Sequence, residues 1–403
     1  MQQLFYLNWG KKDLFVFIIG LLSMIKFRLL GTFALSELII FITYLFIGFR
    51  TEFTNNKRMN YLFLFAILWC VGVFISDRFN DVNLIDSLKG SFNVVFLIIL
   101  IPFVYWALED KPQRMILFWI GNGISSVFAF YFQRINLYNE IDANIWRVYA
   151  FYPAAIALSG LLYYKGRNLI ACLLIEIFAF WSLFNMSRNV FLSMTCAVSL
   201  ILFIDWIKRH SVDSITMYKR KSLSLLIIFV LALTGVSYTY EYLAKNKILG
   251  EQAYQKYIVQ KYSKSGLASG RSDAFQSIFL ISNNPIIGYG SYAKDKNELI
   301  RQFDKETNRG KNDMLPGHSY VLGAWVYSGI LGALFWIYIL YLIFVFIKDK
   351  ILLNDKLIGI NVLLSFQMLW NILFSPFADR LNFLFFITLV VVQINLENSE
   401  YEL

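Results

Sequence analysis

Apolar residues fall into long continuous runs along the chain, separated by short polar punctuation and by one extended polar stretch, Glu241–Gly317. The runs lie near 14–31, 33–48, 60–76, 91–108, 113–132, 148–164, 168–185, 189–206, 222–240, 318–347, 356–375 and 380–396. A helix needs about 20 mostly apolar residues to cross a bilayer core. The runs do not alternate, which excludes a transmembrane barrel, and helices are then what satisfies the backbone in lipid. The pattern predicts an all-α polytopic membrane protein of about 12 transmembrane helices. The first pair is the weakest, because Lys26, Arg28 and Gly31 interrupt it and two shorter helices fit as well. The first run lacks a small-residue cleavage site and reads as a retained span. The run 318–347 exceeds one hydrocarbon thickness, so it should tilt, kink near Gly329 or Gly332, or project from the membrane.

The polar stretch is not a featureless linker. Phe275, Ile278 and Phe279 recur at helical spacing between Ser269-Gly270, a start signal, and Pro285, a stop. A short helix over 271–283, lying on or above the membrane surface, is expected. The organisation is one membrane domain: residues 1–240 with nine helices, an extracytoplasmic loop subdomain at 241–317, and residues 318–403 with three more.

Composition agrees. A hydrophobic share of 58%, 16% charged residues and a mean hydropathy of +0.55 exclude a soluble globular chain. The net charge of +10 raises nucleic acid as a partner, but no nucleic-acid motif is present, and the lysines and arginines are placed as a membrane topology would place them. Segments around 11–12, 50–58, 111–114, 165–167, 208–221 and 348–356 hold roughly twice as many as the alternate short turns, which puts both termini in the cytoplasm and Glu241–Gly317 outside. Cys70, Cys172 and Cys196 sit inside apolar runs without metal spacing and read as packing residues. No histidine–carboxylate cluster suits zinc and no paired outer aspartates suit magnesium, so metal-independent chemistry without a cofactor is expected. Gly288-Tyr289-Gly290-Ser291-Tyr292-Ala293 fits a dinucleotide pattern only formally, since no strand-turn-helix unit surrounds it.

The candidate chemistry is cationic. Arg271 opens the amphipathic stretch of the polar segment, where a guanidinium fork and a helix N-terminus can share an anion; an ordinary surface arginine is the alternative. Arg188, in Asn185-Met186-Ser187-Arg188-Asn189, occupies a very short turn between two apolar runs, either anchoring a helix end or serving a site. His318 is the one outer-face side chain whose ordinary pKa, about 6.5, suits proton transfer near neutrality, and a capping histidine is the other reading. Arg147 and Arg380 stand at outer ends of spans, where each could hold an acidic head group or pair locally, as Asp379 beside Arg380 suggests. Glu37 and Glu176 lie inside apolar runs and should face protein or water rather than lipid.

The order of these pieces resembles the bacterial O-antigen polymerase and O-antigen ligase superfamily. The resemblance rests on Met186-Ser187-Arg188-Asn189, Gly270-Arg271-Ser272-Asp273-Ala274-Phe275, Asn284-Pro285-Ile286-Ile287-Gly288-Tyr289-Gly290, Gly317-His318-Ser319-Tyr320, Gly329-Ile330-Leu331-Gly332 and Phe374-Ser375-Pro376, over roughly residues 140–385. It implies a GT-C-like glycosyltransferase in the bacterial inner membrane. The enzyme would act at the outer face on undecaprenyl (polyprenyl) diphosphate-linked glycan donors and acceptors, with a chain-length regulator as a possible partner. Under that resemblance Arg188 and Arg271 hold the donor diphosphate, His318 activates the acceptor hydroxyl, and Arg147, Arg380 and Tyr320 contact substrate. Many ligases have His-Asn where this chain has His318-Ser319, and Pro-Asn where it has Pro153-Ala154. Both departures lean toward a polymerase, with a ligase acting on lipid A core as the alternative. A glycan transporter is the rival of another class; it would show internal repeats and broken midplane helices, and neither is visible in the sequence.

Overall fold

The computed structural model describes residues 10–28, 32–47, 56–132, 140–185, 187–210, 238, 240–262, 272–303, 313–317, 319–351, 355–375, 377 and 380–395. The chain opens with α1 (Lys11–Leu22), a hairpin of β1 (Lys26–Arg28) and β2 (Thr32–Ala34), and α2 (Leu35–Ile47). A bundle follows: α3 (Lys57–Phe79), α4 (Leu84–Leu108), α5 (Arg114–Phe132), α6 (Glu140–Tyr164), α7 (Asn168–Phe184) and α8 (Arg188–His210). In the polar segment the described residues include α9 (Glu251–Tyr262), α10 (Ser272–Asn283) and α11 (Leu299–Phe303). The chain then returns to the bundle with α12 (Tyr320–Val345), which runs on into a π-helical turn at Phe346–Lys350, and closes with α13 (Ile358–Phe374) and α14 (Arg380–Asn395).

This is an all-α membrane protein. Five described helices, α3, α4, α5, α8 and α12, are long and apolar enough to cross a bilayer, and α2, α7, α13 and α14 are shorter apolar helices. Tyr61, Leu64, Ile67, Val71 and Phe74 are exposed on one side of α3. They recur every three or four residues, a stripe too apolar for water and suited to lipid. The opposite side of α3, with Leu62, Ala66, Trp69 and Val73, is buried. Expected and observed ends agree closely for α5, α7 and α14, whereas α4 starts two turns earlier than its apolar run. Asn83 caps it there, accepting from the Asp86 amide at 2.9 Å.

Among the described residues the runs at 14–31 and 33–48 form the pair of shorter helices that the sequence left open, rather than two full crossings. Twelve residues in α1 and 13 in α2 extend only about 18–20 Å at 1.5 Å per residue, short of the roughly 30 Å core, and the β1–β2 hairpin joins them. The span expected near 222–240 lies almost entirely outside the described residues.

The C-terminal helix lies at the centre. On α14 nearly every side is buried, from Leu381 through Ile394, which matches a helix apolar all round. Phe385 stacks on Phe118 of α5 with centroids 3.8 Å apart. Around it, α12 lies antiparallel along α3: the Tyr338 hydroxyl donates to the Arg58 carbonyl at 3.0 Å near one end, and the Ser76 hydroxyl to the Tyr327 carbonyl at 2.9 Å near the other. Short turns reverse the chain from α3 to α4, α4 to α5, α6 to α7 and α7 to α8. The starts of α4, α8, α12 and α14 therefore share one end of the bundle with α10. That end is called the loop end below.

Ion pairs tie down both ends. At the far end the Arg114 guanidinium bridges Asp13 and Asp110, each at 2.6 Å, with Lys111 on Asp13 and Lys12 on Asp110. Arg114 beside it holds the Asp110 carboxyl down to about 2, so Asp110 is ionised at any physiological pH. Toward the loop end Arg380 grips Glu37 with two hydrogen bonds of 2.8 Å and donates to Asn93 Oδ1 at 2.6 Å, joining the start of α14 to α2 and α4. Glu37 thus faces protein, as does Glu176, which accepts from Thr195 at 3.0 Å. The three cysteines are free and buried.

Candidate functional site at the loop end

Two structural units meet at the loop end. The first is built on α8. Ser187, in the tight turn after α7, donates to Asn189 Oδ1 at 3.0 Å, and Asn189 donates to the Tyr149 hydroxyl of α6 at 3.0 Å. Arg188, half-buried at the first position of α8, lies 4.5 Å over the ring of Tyr240, a contact that orients the guanidinium by cation–π attraction. Arg147 stands two positions before Tyr149 on α6. About one turn deeper in α8 a polar line begins: the Ser193 hydroxyl donates to Gln367 at 2.8 Å, Gln367 donates to Asn371 at 3.1 Å, and the Ser375 hydroxyl donates to Asn371 at 3.1 Å.

The second unit is the loop-end part of α12. Ser319 caps this helix, accepting from the Leu322 amide at 3.1 Å, and its hydroxyl donates to the Ile372 carbonyl of α13 at 2.8 Å. The starts of α8 and α12 are therefore both fastened to the last two turns of α13. Tyr320 is buried between Trp336 and Phe377, with centroids at 4.8 and 5.2 Å. Among the expected substrate contacts, then, Tyr320 is packed in an aromatic cluster and Arg380 is committed to Glu37 and Asn93, while Arg188 and Arg147 remain half-buried at the bundle end. His318 and Arg271 lie outside the described residues. In sequence they directly precede Ser319 and Ser272, at the starts of α12 and α10.

α12 is broken at Gly329, one of the two expected kink positions, with φ 66° and ψ −161°. The segment Asn284–Gly290 fills the break. Its Tyr289 and Gly290 amides donate to the Val326 and Tyr327 carbonyls at 2.8 and 3.0 Å, its Ile286 carbonyl accepts from Ile330 at 3.2 Å, and its Pro285 carbonyl accepts from the Trp325 indole at 2.7 Å. Main-chain groups freed by a break at membrane depth must find protein partners, and this loop supplies them. A Cβ on Gly329 would come within 1.9 Å of the Ile286 carbonyl oxygen, and one on Gly288 within 2.6 Å of the Gly329 nitrogen. Gly288 and Gly329 thus serve backbone-to-backbone contact. Leu280, Ile281, Ile300 and Leu315 close a small core over Val326.

A cavity of about 160 Å³ lined by Asn168, Asp205, Lys208, Asp355 and Lys356 lies elsewhere. Asp205 is about 25 Å down α8 from Arg188, near the far end, so this cavity is not part of the arrangement just described. Among the described residues no three histidine, cysteine or carboxylate side chains come together as a metal site.

Residues 170–337 match the family described as O-antigen ligase. The match spans 168 of the 403 residues and supports a relation to the O-antigen ligase and polymerase superfamily. No curated protein matches the chain. The matched domain starts at the head of α7 and ends within α12, so it includes Arg188, Arg271, the Asn284–Gly290 loop, His318 and the break at Gly329. That family implies a glycan-transferring enzyme and suggests lipid-linked glycan substrates and a membrane environment. Sequence reasoning located its punctuation. It missed what the punctuation contacts: Asp77, Asn80 and Ser76 of α3, and the Gln367–Asn371 line of α13. Asp77 at the end of an apolar run was the only visible signal.

Proposed function

We propose that the protein is a polysaccharide polymerase of the cytoplasmic membrane. It would transfer a growing glycan from one polyprenyl diphosphate to the terminal hydroxyl of a second lipid-linked repeat unit at the outer face. The observation carrying this reading is that the matched domain folds with the starts of α8 and α12, the helices headed by Arg188 and preceded by His318, fastened to the same two turns of α13.

The reaction asks little covalent chemistry of the protein. The acceptor oxygen forms a bond to the anomeric carbon of the donor sugar while the bond from that carbon to the diphosphate breaks. The diphosphate departs with the electron pair, and the hydroxyl proton passes to His318 and then to water. Arg188 and Arg271 neutralise the leaving diphosphate with guanidinium forks that match phosphate oxygens. A single base on the face opposite the leaving group gives inversion. Arg147 stands at the rim, and Tyr320 and Arg380 form the wall behind the site. The proposed scheme uses no metal. A transporter is less well supported, because α12, the one broken span among the described residues, is filled by the protein's own loop.

Purified protein in proteoliposomes, given lipid-linked repeat unit alone, is expected to yield a ladder of products. Transfer that requires added lipid A core would make it a ligase. Movement of intact lipid-linked glycan without any transfer would make it a transporter. His318→Ala should lower the rate about 10²- to 10⁴-fold, the usual contribution of a general base, with donor lipid still bound. Arg188→Lys and Arg271→Lys should keep charge and lose most of the activity, and chelators should leave the wild type unchanged. A fully active His318→Ala variant would overturn the base assignment.

A further inference from the structure

We infer that Asp77, on α3 and outside the matched domain, is a positioning residue for glycan transfer: it holds the Asn284–Gly290 loop in the break of α12 and thereby sets the orientation of the loop-end part of that helix. The inference rests on the reading above that the start of α12 belongs to the transfer site. Asp77 is 4% exposed and, among the described residues, forms no ion pair. Its carboxylate instead takes both donors of Ser291, the amide on Oδ1 at 2.5 Å and the hydroxyl on Oδ2 at 3.0 Å. A buried carboxylate without a cation is costly unless hydrogen bonds replace its water, so a neutral side chain would be the cheaper choice if packing alone were needed here.

What those two bonds hold is the hinge of the site. Ser291 directly follows Gly290, whose amide donates to the Tyr327 carbonyl. A Cβ on Gly290 would lie 3.3 Å from Asp77 Oδ1 and 2.6 Å from Val82, and one on Gly90 of α4 would lie 1.9 Å from the Ser291 hydroxyl. Gly290 and Ser291 are thus in close contact with α3 and α4. Neighbours of Asp77 act on the same joint. Asn80 donates to the Gly288 carbonyl at 3.1 Å, Ser76 to the Tyr327 carbonyl at 2.9 Å, and Trp69 to the Ser328 hydroxyl at 3.0 Å. Beyond Gly329, residues 320–328 form a loop-end piece of helix whose direction is fixed by this joint and by the Ser319 contact to α13. Among the described residues the Asp77 carboxylate is bonded to Ser291 and not to Arg188. It acts through Ser291, then the loop, then α12.

The test combines kinetics with amide hydrogen exchange on the full-length protein in detergent or nanodiscs. Asp77→Ala is expected to speed exchange at the amides of 286–291 and 319–330 while α14 stays protected. It should also lower kcat at least about tenfold, the rate equivalent of one lost hydrogen bond to a charged group, with KM for the lipid-linked donor little changed. Asp77→Asn, which keeps an acceptor for the Ser291 amide, should recover part of both effects. Ser291→Ala, which loses only the hydroxyl bond, should fall between Asp77→Ala and the wild type. Normal exchange at 286–291 in Asp77→Ala, exchange raised equally throughout the bundle, or kcat equal to the wild type would each overturn the inference. Exchange is read without any substrate. A wild type that transfers no glycan would sink the functional reading, while the exchange pattern would still decide whether Asp77 holds the joint.

Discussion

At the scale of single residues, the decisive positions are those where one atom more does not fit. Gly329 has φ 66° and ψ −161°, a conformation essentially confined to glycine, and an added methyl would meet a main-chain oxygen that cannot rotate away. Gly329→Ala should therefore lose about 2–6 kcal/mol, combining backbone strain with overpacking. The expected readouts are a lower melting temperature in detergent and faster proteolysis within 241–317, and a wild-type melting curve would show that the break can close without the loop. Gly332 looked equivalent in sequence. In the structure it stays helical, its Cβ direction aimed at the Ser328 hydroxyl and the Trp69 ring, so only contact with the loop distinguishes the two glycines. In the same way the pattern around Arg188 was readable from the turn it opens, whereas its partner Tyr240 lies 52 positions further along and no local signal points to it.

At the scale of elements, local composition predicts a helix well and its length less well. Apolar runs gave α3, α5, α7, α8, α12, α13 and α14 near their observed places, because crossing lipid requires a long uninterrupted stretch of one chemistry. The short pair α1 and α2, which the sequence left open, has the same origin. Lys26, Arg28 and Gly31 were visible as interruptions, but that they form a hairpin between half-length helices depends on Phe33 packing against Phe92 and Phe96 of α4 and on Glu37 meeting Arg380. This buried pair yields a prediction about elements. Glu37→Leu or Arg380→Leu alone should cost about 3–5 kcal/mol by stranding a buried charge, and the double replacement much less, as a double-mutant cycle on thermal unfolding would show. Loss of transfer activity in the double variant with an intact melting curve would support Arg380 as a substrate contact.

At the scale of the whole molecule, the reading of both termini as cytoplasmic and 241–317 as external rests on the basic residues of the short connections. Because Cys70, Cys172 and Cys196 are buried, single cysteines introduced on the wild-type background should report sidedness cleanly to an impermeant thiol reagent. Positions within 241–317 are expected to react from outside and positions within 208–221 to stay silent until the membrane is opened. The opposite pattern would move the proposed site to the cytoplasm, away from lipid-linked glycan. By itself the sequence determined that this is a helical membrane protein, where most helices begin and end, and which polar segment could carry chemistry. Each of these follows from contiguous composition meeting one solvent. The tertiary structure alone decided that α14 is the core, that α12 breaks at Gly329 to receive the Asn284–Gly290 loop, and that Asp77, more than 200 positions earlier, holds that loop in place. Those facts depend on hydrogen bonds and close contacts between segments distant in the chain. A glycine or a buried carboxylate in a sequence announces that such a partner is needed without saying where it is.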